Sequence, residues 1–83
     1  MNRNDVQAAV IRQLRRVAPE ADPALLRNDQ NQRDQLDIDS MDFLNFAIAL
    51  HDELQEGIAE TDYPRLATID GCVNFIMVAR SAP

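Results

Sequence analysis

The sequence has no lysine and no tryptophan, one cysteine and only two glycines. A single cysteine cannot form a disulfide within the chain, so we expect a reduced, soluble, cytoplasmic protein whose fold depends on packing. Two glycines and four prolines leave little material for the tight turns of an all-β fold. No apolar run approaches the roughly 18 residues of a membrane span, and we expect no signal peptide. A chain of 83 residues predicts one small domain over residues 1–83.

Charge is divided unevenly along the chain, whose net charge is −6. Residues 1–33 hold six arginines and four acidic residues, whereas residues 34–83 hold two arginines and ten acidic residues. Phosphate contacts need a basic patch, so this balance disfavours binding to nucleic acids and to anionic membrane surfaces. The acidic half is typical either of a surface that attracts basic protein partners or of a solvated face.

The spacing of apolar residues predicts an all-α fold. We expect helices over residues 5–17, 40–55 and 68–80, with one short helical turn over 61–66. Together these predict a small four-helix bundle with three longer helices and a short third one. The expected inward faces are Val6, Ala9, Val10, Leu14 and Val17 in the first helix, Phe43, Phe46, Ala47, Leu50 and Leu54 in the second, and Ile69, Cys72, Val73 and Ile76 in the last.

A long connection over residues 18–38 is predicted between the first two helices, because prolines and a polar run break the periodicity there. Connections of this length in small domains are often functional. Asn4 is the expected N-cap of the first helix, and Gly57 is the expected C-terminal cap of the second. The apolar residues expected to pin the connection to the core are Leu25, Leu26, Leu36 and Ile38.

Asp39 and Ser40 stand at the start of the second helix. Asp39 is the predicted N-cap, and Asp42 follows three residues later as in a capping box. The side chain of Ser40 is then free to face solvent in the first turn, near unpaired N–H groups and the positive end of the helix dipole. A phosphate ester on Ser40 would be favoured by that helix end, although the neighbouring carboxylates oppose it unless a divalent cation is shared during transfer.

The triplet Asp39-Ser40-Met41, placed before an acidic amphipathic helix, resembles the acyl carrier protein family. Asp42, Leu44 and Ile48 match positions on the recognition helix of that family, and the segment Thr68-Ile69-Asp70 resembles the start of its last helix. Chain length, acidity, the long first connection and the short third helix also agree, so the resemblance covers nearly the whole chain.

The resemblance implies a four-helix bundle of acyl-carrier type that is monomeric and is not itself an enzyme. Ser40 would carry a 4′-phosphopantetheine arm through a phosphodiester, and the terminal thiol of the arm would hold acyl groups as thioesters. Asp39 would help a phosphopantetheinyl transferase to bind Mg²⁺ and coenzyme A. Acyl-transferring or acyl-modifying enzymes with basic patches would dock on the second helix. The residues implied in that docking are Met41, Asp42, Leu44, Ile48, Asp52, Glu53 and Glu56.

Four positions depart from the family pattern. Asp37 stands where a glycine is common, and Met41 stands where a leucine is usual. Asn45 and His51 stand at positions of the recognition helix that are usually acidic. We interpret these departures as signs of a specialised carrier, in a lipid or secondary-metabolite pathway such as polyketide synthesis, rather than housekeeping fatty-acid synthesis.

Other functions fit the same residues less well. A serine hydrolase needs a base beside Ser40, but His51 lies eleven residues away, which is about 16.5 Å along a helix. A calcium loop would need a central glycine and a bidentate glutamate where Ile48 stands, and a zinc site needs more than one cysteine and one histidine. Two alternatives stay open: an unmodified acidic helical adaptor that binds basic proteins, and a peptidyl or aminoacyl carrier. The edge formed by Met41, Leu44 and Ile48 could equally belong to the core.

Overall fold

Helices form where the apolar periodicity predicts them. The computed structural model describes residues 2–36 and 38–81, and within these ranges no β-strand forms, which confirms the expectation of an all-α fold. Asp37, one of the departures noted above, lies outside the described residues. The elements are α1 (Arg3–Val17), a 3₁₀ turn (Pro23–Leu25), α2 (Gln32–Leu36), α3 (Ser40–Leu54), a 3₁₀ helix (Glu60–Leu66) and α4 (Ile69–Ser81).

The core lies where α1 packs against both α3 and α4. The apolar faces predicted for these three helices are confirmed, with Val17 packed half-buried at the margin and the other predicted side chains buried. The aromatic ring of Phe46 is completely buried, and Phe43 packs against it with ring centroids 5.9 Å apart. No helix within residues 2–36 and 38–81 is long and apolar enough to cross a membrane.

The helix caps predicted at Asn4 and Gly57 are wrong. Helix α1 begins two residues earlier than expected, because Asn2 and Asp5 satisfy each other's backbone N–H groups at 2.9 and 3.3 Å. This reciprocal capping box makes Asn2, not Asn4, the N-cap. At the other end of α3, Gln55 adopts the left-handed conformation, with φ 56°, and its N–H donates to the carbonyl of His51 at 2.8 Å. The helix is therefore closed before it reaches Gly57.

The connection between α1 and α3 contains structure that the sequence pattern did not predict. The side chain of Asn31 accepts hydrogen bonds from the backbone N–H groups of Arg33 and Asp34 at 2.9 and 3.3 Å, which caps the short helix α2. Of the expected apolar anchors, Ile38 is buried, and Leu26 and Leu36 pack half-buried against the core. Leu25 was predicted wrongly, because its side chain is 77% exposed.

Gln32 fastens α2 to the segment that precedes α4. Its backbone N–H donates to the carbonyl of Ala67 at 2.8 Å, and its buried side-chain amide donates to the carbonyl of Leu66. The same amide lies 3.4 Å from the sulfur of Cys72. A second backbone bond, from Asp70 N–H to the carbonyl of Asn28 at 2.9 Å, joins the residues before α2 to the first turn of α4. These contacts fix the position of α2 relative to the start of α4.

Candidate functional site

Asp39 caps α3 as the sequence predicts. Its backbone is extended, with φ −91° and ψ −177°, and its carboxylate accepts a hydrogen bond from the N–H of Asp42 at 2.8 Å. The carbonyl of Asp39 also accepts the first helical bond, from Phe43 N–H at 3.0 Å. The reciprocal bond of a full capping box, from Asp39 N–H to the Asp42 carboxylate, does not form between these two described residues. The helix therefore begins with a charged N-cap at the residue directly before Ser40.

Ser40 is the first residue of α3 and is exposed to solvent. Its hydroxyl is not used in capping, because Asp39 performs that function. The Oγ atom instead accepts a hydrogen bond from Nη2 of Arg33 at 3.3 Å. Reasoning from the sequence missed Arg33. The available signal was its place as the last base before the acidic stretch, but nothing in the pattern showed that α2 would turn it toward α3.

A cleft of about 480 Å³ opens beside Ser40, between the start of α3 and the 3₁₀ helix. Arg33 and Ser40 stand on its wall, and Met41 and Leu44 supply apolar surface from α3. Tyr63 closes the far side, where its ring meets that of Phe43 edge-on with centroids 5.9 Å apart. An exposed hydroxyl thus lies at the border of a largely apolar recess.

The apolar edge of α3 does not join the core as a unit. Met41 is 62% exposed and Ile48 is 49% exposed, so these two side chains present apolar surface to solvent. Leu44 is half-buried and lines the cleft. Of the three apolar residues implied in docking, Met41 and Ile48 are therefore accessible to a partner and Leu44 is partly accessible.

The acidic residues implied in docking fall into two groups. Glu53 receives both the Nε and Nη2 groups of Arg12, at 3.0 and 2.5 Å, together with the side-chain amide of Gln13 at 2.7 Å. The hydrogen bond from Arg12 is the largest cause that lowers the pKa of Glu53, and partial burial opposes it. Glu56 lies 3.2 Å from the guanidinium of Arg80.

Asp42 and Asp52 form the second group. Within residues 2–36 and 38–81, neither carboxylate lies within ion-pair distance of an arginine. Asp52 is exposed and Asp42 is half-buried. The negative charge that α3 leaves without an internal partner is therefore concentrated at these two positions.

The competing chemistries find no support in the described residues. Ser40 and His51 lie on one continuous helix, eleven residues and about 16.5 Å apart, so they cannot form a nucleophile–base pair. No group of three potential metal ligands comes together within residues 2–36 and 38–81. The thiol of Cys72 is buried, and its burial raises the pKa to about 12, so it is not a reactive thiol.

Comparison with known proteins gives no match from which a function could be inferred. No family model matches the sequence, and no curated protein or solved structure matches it. The functional inference therefore depends on the motif around Ser40 and on the geometry in which that motif is held.

Proposed function

We propose that the chain is an acyl carrier protein and that Ser40 bears a 4′-phosphopantetheine arm. The observation that supports this best is the exposed Ser40 hydroxyl in the first turn of α3, which is not used in capping because Asp39 caps the helix. In this proposal the all-helical fold is a bundle of acyl-carrier type. Its long helices are α1, α3 and α4, and the 3₁₀ helix Glu60–Leu66 is the short third helix.

The residues around Ser40 fit a phosphodiester. The N-terminus of α3 offers free N–H groups and the positive end of the helix dipole, and the guanidinium of Arg33 lies within hydrogen-bond distance of the serine oxygen. Transfer from coenzyme A would form a bond between Ser40 Oγ and the phosphorus of the arm and would break the pyrophosphate link of the coenzyme. Adenosine 3′,5′-bisphosphate would leave, and the hydroxyl proton would pass to a base of the transferase. The carboxylate of Asp39 assists the transferase with Mg²⁺. When attached, the arm supplies a thiol that holds the acyl group as a thioester.

The exposed side of α3 is the proposed docking surface for partner enzymes. Met41 and Ile48 offer a small apolar contact, and Asp42 and Asp52 lie on the same helix with uncompensated charge. Long-range attraction between acidic and basic surfaces raises encounter rates without requiring tight affinity, which suits a protein that exchanges partners quickly. Glu53 and Glu56 contribute less to this attraction, because Arg12 and Arg80 of the chain itself offset their charge.

The cleft beside Ser40 is the proposed shelter for the first carbons of an acyl chain. Its volume of about 480 Å³ and the apolar side chains of Met41, Leu44 and Tyr63 suit a short aliphatic segment. A series of acylated proteins with increasing chain length should shift the methyl resonances of Leu44 more than those of Val10, which is buried away from the cleft. Identical methyl shifts along the series would contradict this proposal.

Intact-mass measurement tests the attachment. The chain has two serines, so Ser40→Ala has a matched control in Ser81→Ala. After incubation with coenzyme A, Mg²⁺ and a broad-specificity phosphopantetheinyl transferase, the wild type and Ser81→Ala should each gain one phosphopantetheine, and Ser40→Ala should gain none. A folded wild type that gains nothing from two unrelated transferases, beside a carrier that is loaded, would favour the unmodified adaptor. A gain that survives Ser40→Ala would refute the site.

A further inference from the structure

Hydrogen bonds of the fold fix the backbone of Arg33 near Ser40. Asn31 caps α2 through the N–H of Arg33, and the buried Gln32, the residue directly before Arg33, donates to the carbonyls of Leu66 and Ala67. Arg33 therefore directly follows two anchored residues, one of which binds its own backbone N–H. From there the guanidinium reaches Ser40 Oγ at 3.3 Å.

The charge of Arg33 is not offset by an ion pair with a described carboxylate, in contrast to the charges of three other arginines. Arg12, Arg27 and Arg80 each lie within ion-pair distance of a carboxylate, at 2.5, 3.8 and 3.2 Å. Among residues 2–36 and 38–81, no carboxylate lies within that distance of Arg33, even though the nine acidic residues that follow it are uninterrupted by a base. A guanidinium without a carboxylate partner, beside a hydroxyl that accepts its hydrogen bond, is a ready donor for an anion attached to that hydroxyl.

We infer that Arg33 is a binding residue for the phosphodiester on Ser40, which it holds against the start of α3. This inference rests on the proposed function. The fork of guanidinium N–H groups donates to the non-bridging phosphate oxygens, and its charge offsets the repulsion from Asp39 and Asp42. Because Arg33 and Ser40 both line the cleft, a phosphate held between them fixes the point at the edge of the cleft where the arm leaves the protein.

A comparison of unloaded and loaded proteins tests the inference without relying on carrier activity. The wild type, Arg33→Gln, Arg33→Lys and the control Arg27→Gln are each converted completely to the loaded form, with mass measurement as proof. Arg27 lies on the same connection and is exposed, but its partner is Asp29 rather than Ser40. The readouts are the ³¹P resonance of the phosphodiester, the ¹⁵N resonance of the Arg33 Nε group and the urea midpoint before and after loading.

Loading should move the Arg33 Nε resonance of the wild type, and the ³¹P resonance of loaded Arg33→Gln should differ from those of the wild type and Arg27→Gln. The change in urea midpoint on loading should be less favourable in Arg33→Gln than in the wild type. The change in Arg33→Lys should lie between these two, because lysine keeps the positive charge but lacks the fork of N–H groups. High salt should reduce these differences, since the contact is exposed.

The two possible failures are distinguishable. A wild type that cannot be loaded overturns the proposed function and the inference with it. A wild type that is loaded, with an Arg33 Nε resonance unmoved by loading and a ³¹P resonance that Arg33→Gln leaves unchanged, overturns the inference alone. The Arg33 Nε resonance is compared in the unloaded and loaded wild type only. It therefore tests the inference even if the transferase does not load Arg33→Gln.

Discussion

The carboxylate of Asp39 accepts a hydrogen bond from the backbone N–H of Asp42 at 2.8 Å. Ser40, which lies between these residues in the chain, therefore begins α3 without having to cap it. Serine is itself a favoured capping residue, so a structure in which Ser40 served as the cap would have left its hydroxyl bonded to the helix. Because Asp39 caps the helix, the hydroxyl oxygen of Ser40 stays exposed at the start of α3.

Two substitutions at Asp39 should distinguish its capping of α3 from its proposed contribution to Mg²⁺ binding by the transferase. Asparagine caps helices about as well as aspartate, so Asp39→Asn should keep nearly the wild-type free energy of unfolding, whereas Asp39→Ala should lose about 1 kcal/mol. Both variants lack the carboxylate that is proposed to help with Mg²⁺, so both should be loaded more slowly than the wild type. Urea unfolding and loading rates check these outcomes. Wild-type loading of Asp39→Asn would refute the Mg²⁺ function.

Gly71 is required by a close approach of the backbone. A Cβ atom at this position would lie 2.3 Å from the carbonyl oxygen of Arg65, which is too close for real atoms. Gly71→Ala should therefore destabilise the protein by about 1–3 kcal/mol, because the start of α4 must move away from the 3₁₀ helix. Thermal unfolding followed by circular dichroism measures the loss as a lower Tm.

Gly57 supplies the matched control for Gly71. No atom lies within 4 Å of a Cβ built there, and its φ is not positive. Gly57→Ala should leave the stability unchanged or raise it by about 0.4–1 kcal/mol, because alanine restricts the unfolded chain. Equal losses in the two variants would show that the loss in Gly71→Ala does not come from the clash with Arg65.

The ion pair between Glu53 and Arg12 should make stability depend on acid pH. The pKa of Glu53 is lowered from its ordinary value of 4.5, chiefly by the hydrogen bond from Arg12, so the folded state favours the ionised carboxylate. Its contribution is then fully present above the ordinary value and is lost as the pH falls through the lower, folded value. Solvent screens this exposed pair, so Glu53→Gln should lower the Tm at pH 7 by no more than about 4 °C.

The pH series distinguishes this contribution from a general effect of charge. The Tm difference between Glu53→Gln and the wild type should shrink as the pH falls below 4.5, because the carboxylate becomes protonated first in the unfolded chain and, at lower pH, in the folded protein. Asp52→Asn removes a neighbouring negative charge that has no ion-pair partner within the described residues, and it should change the Tm less at pH 7. A Tm difference for Glu53→Gln that stays constant from pH 7 to pH 3 would contradict the assignment.

Cys72 should be silent toward thiol reagents while the protein is folded. Its side chain is completely buried, and that burial raises the pKa of the thiol to about 12. The unloaded protein should therefore react with Ellman's reagent at pH 8 only after urea unfolds it. Rapid reaction of the native protein would show that the helix α4 opens readily around Cys72.

Local patterns predicted the helices that build the core, because burial on one face of a helix imposes a period that the sequence must carry. The buried stripe of α3 and the cap at Asp39 followed from this period and from the chemistry of the capping residue. The end of α3 was predicted to within one residue, but its capping residue was not, because Gln55 takes the left-handed conformation that a glycine two residues later would have adopted at less cost.

Contacts between distant segments could not be predicted from the pattern. The burial of Gln32 depends on the carbonyl of Leu66, 34 residues away, and the polar side chain gives no apolar signal. Arg12 binds Glu53 on another helix, a contact that the periodicity of α1 does not indicate. The approach of Arg33 to Ser40 has the same origin, since it requires α2 to be fastened in place first.

The count of reactive thiols in the folded protein tests the central claim most directly, because Cys72 should contribute nothing to it. We predict almost no reactive thiol before incubation with coenzyme A, Mg²⁺ and a phosphopantetheinyl transferase, and one per chain afterwards in the wild type. Ser40→Ala should remain without a reactive thiol under both conditions. A wild-type count that stays near zero while an established carrier gains its thiol in the same reaction would contradict the claim, as would an equal gain in Ser40→Ala.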